Sequence, residues 1–519
     1  MAPHGDSTAT YITTTIPYVN ARPHLGHALE LVQADVLARH HRGRGEPVRF
    51  QTGTDDNALK NVLAAGAAGI GVQEFVDANA AEFAALAGPL SLSVDDVIRT
   101  SSDPRHRAGV ERLWRACAQA GDIYRGHYQG LYCVGCEQFY ASAELTAGRC
   151  PEHGTAAEPV AEENWFFRLS RYAGRLAEQI TTGRLRIEPA GRRNEVLGFL
   201  AAGLADLSIS RSTARAHGWG IPVPGDPGQV IYVWWDALGN YVTALGYGTG
   251  AADLDRWWAG SGRRIHLLGK GVLRFHAVYW PAMLLSVGLP LPTDLLVHDY
   301  LTAGGQKISK SDATGALADP AALAARYGTD ALRWWLLREV PRVGDVDFTP
   351  ERLVARSDDE LANGIGNLVN RVVAMIGRYR SGRVPQAGPG GWPGGREILA
   401  ACARAPDVID SALAVGDFRR AAAAVVAIAD AANTAISQVR PWELARAEAA
   451  GSRQAGADLD DVLAALLGAC AELAGQLGPF LPDAARRIAA QCTGIEGVLP
   501  GPAPVFARLV AAPAAARHP

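Results

Sequence analysis

The apolar residues of this chain follow two patterns, and the pattern changes near residue 330. Over residues 10–120 and 230–298, short β-rich runs alternate with segments of helical period. That alternation is typical of an α/β fold with a parallel sheet. Residues 353–493 carry helical patterns almost throughout and are rich in Ala and Leu. We therefore predict a Rossmann-like α/β domain in two halves, followed by an all-α helical bundle.

The first β-rich run, residues 11–18, leads into the motif Pro23-His24-Leu25-Gly26-His27, which opens a segment of helical period. A helix N-terminus presents unpaired N–H groups and a partial positive charge, so it suits phosphate. Gly26 lacks a Cβ where a nucleotide would approach the backbone. His24 and His27 can donate to phosphate oxygens as charge builds up on them. Taken alone, the motif fits equally well a proline-led helix start with two surface histidines.

A second motif, Lys307-Ile308-Ser309-Lys310-Ser311, follows the glycine turn Gly304-Gly305. Flexible ammonium groups on such a loop can clamp a triphosphate and follow the leaving pyrophosphate. A lone lysine pair is more often a solvated basic loop. The two motifs together, in this order, resemble the two signatures of class I aminoacyl-tRNA synthetases.

A third candidate residue, Asp55, comes directly after the short predicted strand 48–52. Ligands of open parallel sheets bind outside the carboxyl ends of the strands, so Asp55 is placed to meet a ligand amine. The alternative, an Asp that caps the next helix, is equally compatible with the sequence. The alanine-rich segment 58–87 is predicted to be helical.

Two pairs of possible metal ligands divide the α/β part of the chain. Their spacing is Cys-x2-Cys, then thirteen residues, then Cys-x2-His, and the residues are Cys133, Cys136, Cys150 and His153. Four protein ligands complete a tetrahedral zinc and leave no open position, which predicts one structural Zn²⁺ site. A redox Cys-x-x-Cys is the competing interpretation, but it would not need the second pair. The remaining cysteines are isolated in sequence and expected to be small buried residues: Cys117, Cys402, Cys470 and Cys492.

The bulk properties exclude some classes of protein. The chain has 519 residues and a net charge of −3, which argues against a general nucleic-acid coat but permits one local basic face. Arg371, Arg378, Arg380 and Arg383 form a candidate face of that kind, although a solvated helix surface is the commoner meaning. No uncharged apolar stretch is long enough to span a membrane, and the first residues do not look like a signal peptide. A cytoplasmic protein without membrane contact is expected.

Within class I the chain resembles the methionyl-tRNA synthetase family, in its form with a single zinc knuckle. The resemblance extends over nearly the whole chain. The motifs that carry it occur in the family's order: Ile16-Pro17-Tyr18-Val19-Asn20, the Cys/His knuckle, Glu163-Asn164-Trp165-Phe166-Phe167, Tyr232-Val233-Trp234-Trp235-Asp236-Ala237-Leu238 and the lysine loop. Synthetases for Ile, Val and Leu usually carry a large editing domain between the signatures, for which there is no room here.

The resemblance implies a set of roles. The methionine side chain would contact Ile16, Tyr18, Trp234, Tyr241, Phe275 and His276, while Asp55 pairs with its amino group. ATP with Mg²⁺ would be bound or acted on by His24, Gly26, His27, His298, Lys307 and Lys310. The anticodon of initiator and elongator tRNA-Met would be read by Asn367, Arg371 and Trp442. The implied domains are residues 1–122 and 216–352 (the catalytic halves), 123–215 (the knuckle insertion) and 353–519 (the anticodon-binding domain). No appended dimerisation module follows, so a monomer is expected.

Several active-site positions depart from the family pattern. Where the family usually has His-Gly after the substrate-binding Asp, this chain has Asn57 and Ala58. Gly271 replaces a usual Asp, Asp299 replaces a usual Gly, and Ile308 is a mild change in the lysine loop. A specialised paralogue with an altered amino-acid pocket or inhibitor resistance is therefore one alternative. A non-catalytic tRNA-binding paralogue and an enzyme that acylates something other than tRNA are the others.

Overall fold

The structure, a computed structural model, describes residues 9–135, 137–140, 144–151, 154–250, 252–308, 318–388, 392 and 395–509. The chain forms two compact units. Unit 1 comprises Met1–Ala87 and Leu92–Asp299, and unit 2 comprises Gly88–Ser91 and Tyr300–Pro519. The boundary near residue 299 lies inside the predicted second catalytic half, residues 216–352.

Unit 1 contains alternating strands and helices, as the first pattern predicts. Its strands are β1 Thr10–Thr13, β2 Val48–Thr54, β3 Asp96–Arg99, β4 Ile123–Cys133, β5 Gln138–Tyr140, β6 Glu158–Phe167, β7 Arg186–Glu188, β8 Leu207–Ser208, β9 Ser210–Ser212, β10 Pro222–Val223, β11 Asp226–Ile231, β12 Arg263–Gly269 and β13 Asp294–His298. Its helices are α1 Leu25–Gly43, α2 Leu59–Ala68, α3 Val72–Ala85, α4 Pro104–Gln119, α5 Ala173–Thr181, α6 Ala190–Ala201, α7 Val233–Thr243 and α8 Trp280–Ser286.

Six of these strands form one parallel sheet in the order β3-β2-β1-β12-β13-β7. Because all six run the same way, the carboxyl ends of β1, β2, β12 and β13 share one edge. The strand order reverses between β1 and β12, which is where open α/β sheets bind their ligands. A second sheet, β5-β4-β6-β8, is antiparallel and is built from the insertion between the two halves. The Rossmann-like core predicted from the sequence is therefore confirmed.

Two predicted elements have different bounds in the structure. The first strand ends at Thr13, earlier than the β-rich run suggests. The segment 58–87 is two helices rather than one, because Gly69 ends α2 in the left-handed region at φ 70° and Gly71 precedes α3. The glycines were visible in the sequence, and they signal this break.

Unit 2 is mainly helical. Its short strands are β14 Leu301–Ala303, β15 Gln306–Lys307 and β16 Val346–Asp347. Its helices are α9 Pro320–Tyr327, α10 Thr329–Arg338, α11 Pro350–Arg356, α12 Asn367–Arg380, α13 Arg396–Leu413, α14 Phe418–Val439, α15 Pro441–Ala449, α16 Arg453–Leu477 and α17 Pro482–Cys492. The Gly/Pro-rich stretch 382–395 separates α12 from α13 in the sequence.

One stretch of unit 2, Phe418–Ala449, is apolar and long enough to cross a membrane by length and composition, with a mean hydropathy of 1.3. Within it, α14 buries one alanine-rich face that includes Val425, Ile428 and Ile436. A helix in the core of a bundle has this same composition. The expectation of no membrane contact stays a prediction.

Candidate functional site

The start of α1 holds both histidines of the first motif in a fixed arrangement. His24 is the N-cap residue: its Nδ1 accepts a hydrogen bond from the Gly26 backbone N–H at 3.1 Å, and His27 Nδ1 accepts from the His24 N–H at 3.0 Å. The two rings stack with centroids 3.8 Å apart. Since each Nδ1 is an acceptor, each neutral ring carries its proton on Nε2, as a donor. A Cβ on residue 26 would lie 2.9 Å from His24 Cε1, so glycine also permits this cap.

His298, at the end of β13, is joined to α1 by an ion pair. Its Nε2 lies 3.0 Å from Glu30 Oε2, and its Nδ1 donates to the Asp299 carbonyl at 2.9 Å. Burial lowers the pKa of His298, but the hydrogen bond and charge of Glu30 outweigh it and raise the pKa overall. Glu30 also accepts from the Thr15 N–H and hydroxyl at 2.5 and 2.6 Å. These contacts favour the protonated form of His298, which ties β13 to α1 and, through Glu30, to Thr15.

Asp299, which replaces a usual glycine, is paired within unit 1. Its side chain is 6% exposed, accepts a hydrogen bond from Arg192 of α6 and lies 3.9 Å from Lys270 Nζ. Lys270 precedes Gly271, so the two departures from the family pattern lie on adjacent strand ends, with Gly269 in register with His298. The added carboxylate is thus balanced by two cations.

Aromatic side chains from three places in unit 1 belong to the predicted side-chain pocket: Tyr18 follows β1, Trp234 lies on α7, and Phe275 follows β12. Trp234 stacks on Phe275 with centroids 3.6 Å apart, and Tyr18 meets Trp234 edge-on at 6.2 Å. Tyr241 and His276 are nearly fully buried, and the Tyr241 hydroxyl lies 2.7 Å from His276 Nε2. Ile16 is half-buried, and its Cγ2 lies 3.1 Å from where a Cβ on residue 53 would be. The predicted side-chain residues thus form two groups in contact, Tyr18 with Trp234 and Phe275, and Tyr241 with His276.

The protonation of this pocket follows from its hydrogen bonds. His276 Nδ1 donates to the Val272 carbonyl at 2.9 Å, so Nε2 is the acceptor and Tyr241 the donor. Burial lowers the pKa of His276 to about 4. Burial also raises the pKa of Tyr241 well above its usual value. Both side chains are therefore neutral near pH 7.

Asp55 is one of three neighbouring carboxylates, with Asp56 and Asp236, that each have a buried oxygen without a hydrogen-bond partner among the described residues. Its backbone N–H donates to the Pro17 carbonyl at 2.9 Å, which fixes it beside Tyr18. The residue is 1% exposed, and within the described part of the chain its Oδ1 has no hydrogen-bond partner. Burial raises the pKa of Asp55 well above its usual value, and Asp236, Asp56 and Glu137 raise it further. A cation bound at Oδ1 would reverse that cost.

Asn57 and Ala58, which depart from the family pattern, fit their surroundings. Asn57 Nδ2 donates to Asp236 Oδ2 at 2.9 Å and to the Thr100 carbonyl at 3.3 Å. On its other side, Asp236 Oδ1 lies 3.7 Å from His106 Nε2. Ala58 is fully buried in a cluster that Tyr18 and Trp234 also contact.

Arg211 is a site residue that the sequence analysis did not select. It is 6% exposed, and its guanidinium lies 4.2 Å from the Tyr232 ring centroid and 5.3 Å from that of Tyr132. Together with Asn57 and Trp219 it lines a pocket that is open to solvent. The charge of Arg211 also acts on the buried Glu137 and counteracts the rise that burial causes in the pKa of that carboxyl. The signal was available, since Arg211 stands within a β-rich run.

The predicted zinc knuckle is described only in part. Cys133 and Cys150 are each 1% exposed and belong to one small cluster with Tyr140. Cys136 and His153 lie outside the described residues, and within the described part no group of three metal-binding side chains occurs. Two thiols brought together from either side of a turn fit the predicted zinc set in their chemistry.

Unit 2 contains the remaining predicted residues. Asp347 accepts from the Gly305 N–H at 2.9 Å and from the Thr302 hydroxyl at 2.8 Å, which holds the glycine turn before Lys307. Lys307 ends β15, and Lys310 lies outside the described residues.

The three predicted anticodon readers lie on two helices. Asn367 and Arg371 are one turn apart on α12. Trp442 is in the first turn of α15, with the Arg440 guanidinium 6.0 Å from its ring centroid. They therefore present an aromatic ring, an amide and guanidinium groups, the chemistry that reads unpaired bases.

Comparisons with known proteins agree with this geometry. The family described as "tRNA synthetases class I (M)" matches residues 10–160 and 152–373. A methionine–tRNA ligase of Brucella suis is 40% identical over 487 residues, with 92% of this chain and 90% of the relative covered. That of Streptomyces coelicolor is 39% identical over 495 residues, with 92% and 89% covered.

A solved structure, the Mycobacterium tuberculosis methionyl-tRNA synthetase in complex with methionyl-adenylate, superposes with a TM-score of 0.90 at 35% identity. The match covers 96% of this chain and 100% of that one. An apo form of the same protein gives a TM-score of 0.83. On the strength of both sequence and structure, the chain belongs to the methionyl-tRNA synthetase family of class I aminoacyl-tRNA synthetases.

Proposed function

We propose that this chain ligates methionine to tRNA-Met at the expense of ATP, through a methionyl-adenylate, releasing pyrophosphate and then AMP. One observation carries the proposal for the amino acid. A buried carboxylate oxygen of Asp55 without a described partner lies beside an apolar aromatic pocket, in the place where a parallel sheet binds its ligands. An α-amino acid with an uncharged, flexible side chain supplies both the cation and the apolar group.

The pocket suits a thioether. The Trp234–Phe275 stack and Tyr18 offer aromatic surface, against which a polarizable sulfur packs well. The hydroxyl proton of Tyr241 is directed to His276, and both are neutral, so the deep end presents no charge to the side chain. The ammonium group pairs with Asp55, and the carboxylate is directed towards the ATP end of the site.

In the first step, a carboxylate oxygen of methionine attacks the α-phosphorus of ATP and pyrophosphate leaves. The Nε2–H groups of His24 and His27 donate to phosphate oxygens, and the N-terminus of α1 adds its own N–H groups. Lys307 and Lys310 follow the leaving pyrophosphate, and His298 supports the nucleotide. Mg²⁺ accompanies ATP and neutralises part of the phosphate charge.

In the second step, a terminal hydroxyl of the tRNA 3′-adenosine attacks the adenylate carbonyl, and AMP leaves. Asn367, Arg371 and Trp442 read the anticodon of initiator and elongator tRNA-Met, since an aromatic ring stacks on an unpaired base while amide and guanidinium groups address base edges. Residues 353–519 form the anticodon-binding domain in this proposal.

The knuckle region, residues 123–215, holds one structural Zn²⁺ through Cys133, Cys136, Cys150 and His153. Bound there, the metal supplies folding energy to the insertion and takes no part in the chemistry. The catalytic halves are residues 1–122 and 216–352. We further expect a monomeric, cytoplasmic protein without membrane contact.

The test is ATP–pyrophosphate exchange with each amino acid in turn, followed by charging of initiator and elongator tRNA-Met. Efficient exchange with methionine, and its loss in Asp55→Asn, supports the proposal. Exchange with a methionine analogue alone would favour a specialised paralogue, a possibility motivated by Asn57 and Ala58 beside the pocket. Binding of tRNA-Met without exchange for any amino acid would overturn the enzymatic proposal.

A further inference from the structure

Glu137 belongs to the insertion between the two halves of the parallel sheet and directly follows the Cys-x2-Cys pair. Although it is a glutamate, only 2% of the residue is exposed. Its backbone lies in the left-handed region at φ 52°, which costs free energy in a residue other than glycine. Such a conformation persists only where the surrounding contacts fix it, and it is common at functional sites. The contacts of Glu137 therefore indicate what this residue does.

The side chain of Glu137 caps helix α2 from outside that helix. Ala58, the N-cap residue of α2, makes no side-chain hydrogen bond to the first N–H groups. Glu137 Oε1 accepts from the backbone N–H of Lys60 at 3.3 Å, as the side chain of a polar N-cap residue would. Its other carboxylate oxygen accepts from the Tyr132 hydroxyl of β4. Glu137 thus supplies the cap that Ala58 lacks.

The first turn of α2 also holds the backbone of Asp55. Asn61, the residue after Lys60, is fully buried. Its Nδ2 donates to the Asp55 carbonyl at 3.0 Å and to the Asp56 carbonyl at 2.8 Å. The two carbonyls identify this end of the amide as the nitrogen, since only a donor satisfies both. A continuous series of contacts therefore joins Glu137, through the first turn of α2, to the residue whose carboxylate is proposed to bind the substrate ammonium group.

The backbone of Glu137 contacts the start of a second helix, α7. Its carbonyl accepts a hydrogen bond from the hydroxyl of Tyr232, the N-cap residue of α7. Trp234, in the first turn of α7, stacks on Phe275 of the predicted side-chain pocket. Glu137 is therefore hydrogen-bonded at the starts of two helices. One of them holds Asp55, the charged contact proposed for methionine, and the other carries the aromatic contact Trp234.

We propose that Glu137 is a positioning residue of the amino-acid site, which fixes the start of α2 relative to the start of α7. This inference rests on the methionine ligation proposed above and adds a role for the insertion in it. Asp55 would hold the ammonium group both before and during the attack on ATP. A displaced Asp55 therefore weakens substrate binding in both states equally, which raises the KM for methionine and leaves kcat nearly unchanged.

Steady-state ATP–pyrophosphate exchange with the full-length protein tests this role. Glu137→Ala removes the cap of α2, so the KM for methionine should rise by roughly tenfold while kcat and the KM for ATP stay within about twofold of wild type. Glu137→Gln keeps an oxygen that can accept from the Lys60 N–H and should restore most of the affinity. Glu158→Ala, which changes an exposed glutamate on β6 of the same insertion, is the matched control and should behave like wild type.

A second variant reaches Glu137 from the pocket side. Tyr232→Phe removes only the hydroxyl that donates to the Glu137 carbonyl, so the KM for methionine should rise in the same direction, by roughly threefold. Because it leaves the insertion unchanged, it carries the result even if Glu137→Ala folds poorly. Hydrogen exchange of the amides at the start of α2, measured by mass spectrometry, should be faster in Glu137→Ala than in Glu158→Ala, and this measurement needs no substrate.

Two outcomes would overturn the positioning role. One is a KM for methionine within twofold of wild type in both Glu137→Ala and Tyr232→Phe. The other is an equal rise in the KM for both substrates together with a loss of kcat, since that indicates general damage to unit 1. A wild type without any methionine-dependent exchange would instead overturn the proposed ligation, and the hydrogen exchange of α2 would still show whether Glu137 caps that helix.

Discussion

The amino-acid pocket and the nucleotide end of the site lie on the same sheet edge but are electrostatically opposite. The pocket keeps His276 neutral and contains a buried Asp55 oxygen without a described partner. At the nucleotide end charges are paired, with His298 on Glu30 and Asp299 on Arg192. The difference shows where ligand charge is needed. A bound cation would neutralise the buried carboxylate of the pocket, whereas these charges at the nucleotide end already neutralise one another without a ligand.

The largest expected effect tests the pocket half of this comparison. Asp55→Asn removes the charge that would pair with the substrate ammonium, so methionine-dependent exchange should fall by roughly a thousandfold or more. The variant should be at least as stable as the wild type, because a buried carboxylate with a raised pKa costs free energy in the folded state. The exposed Asp77→Asn is the matched control and should stay within about twofold of wild type. Activity of Asp55→Asn within tenfold of wild type would remove Asp55 from the amino-acid site.

The two histidines should give opposite dependences of stability on pH. His276 has its pKa lowered from 6.5 to about 4, so the unfolded chain binds its proton first as the pH falls. The stability that comes from keeping His276 neutral is therefore fully present above pH 6.5. It is lost as the pH falls towards 4, which lowers the free energy of unfolding by up to ~3 kcal/mol. His298 has a raised pKa, so its contribution is complete below 6.5 and is lost as the pH rises through the folded-state value.

Urea unfolding of His276→Gln and His298→Gln between pH 4.5 and 9, against wild type, measures both dependences. His276→Gln should reduce the loss of the free energy of unfolding at acid pH. His298→Gln should reduce its loss at alkaline pH. Identical profiles for the two variants would mean that the two ends of the site do not differ in the way described.

Two substitutions of His24 distinguish its role as the N-cap of α1 from its role as a hydrogen-bond donor to phosphate. In His24→Asn the shorter side chain can still cap α1, but the Nε2–H donor is lost, so exchange should fall by roughly a hundredfold while stability stays close to wild type. His24→Ala should lose the same activity and also ~1 kcal/mol of stability from the missing cap. Equal activity of His24→Asn and wild type would make the histidine a cap only.

Substitutions of Asn57 test whether this residue, which replaces a usual His, stabilises the fold or contacts the substrate. Asn57→Leu keeps the volume but leaves Asp236 and the Thr100 carbonyl without their donor, so the free energy of unfolding should fall by ~1–3 kcal/mol. Asn57→His restores the residue that the resembled family usually has and should cost less. Thermal unfolding of both variants, with the KM for methionine, distinguishes them. A raised KM for methionine in Asn57→Leu, without a loss of stability, would place Asn57 in contact with the substrate.

The candidate site residues could be selected from the sequence because their motifs are local. The helix start at His24, the strand ends at Asp55 and His298, and the aromatic run around Trp234 all follow from short patterns. The sequence did not show the Asp299–Arg192 pair, because that pair depends on how α6 packs beside the end of β13. For Arg211, the sequence shows an arginine within a β-rich run. It does not show that the side chain is buried between Tyr132 and Tyr232.

The smallest effect concerns Asp299, where the chain adds a charge that the resembled family lacks. Asp299→Gly restores the usual residue but leaves Arg192 and Lys270, 25% and 24% exposed, without this partner. Because both cations reach water, stability should change by less than ~1 kcal/mol. Because Lys270 directly follows Gly269, which is in register with His298, an unmasked Lys270 should change the KM for ATP by roughly threefold and leave the KM for methionine unchanged. Kinetics with each substrate varied in turn check this. A change confined to methionine would place Asp299 at the pocket, and the two ends of the site would no longer be electrostatically separate.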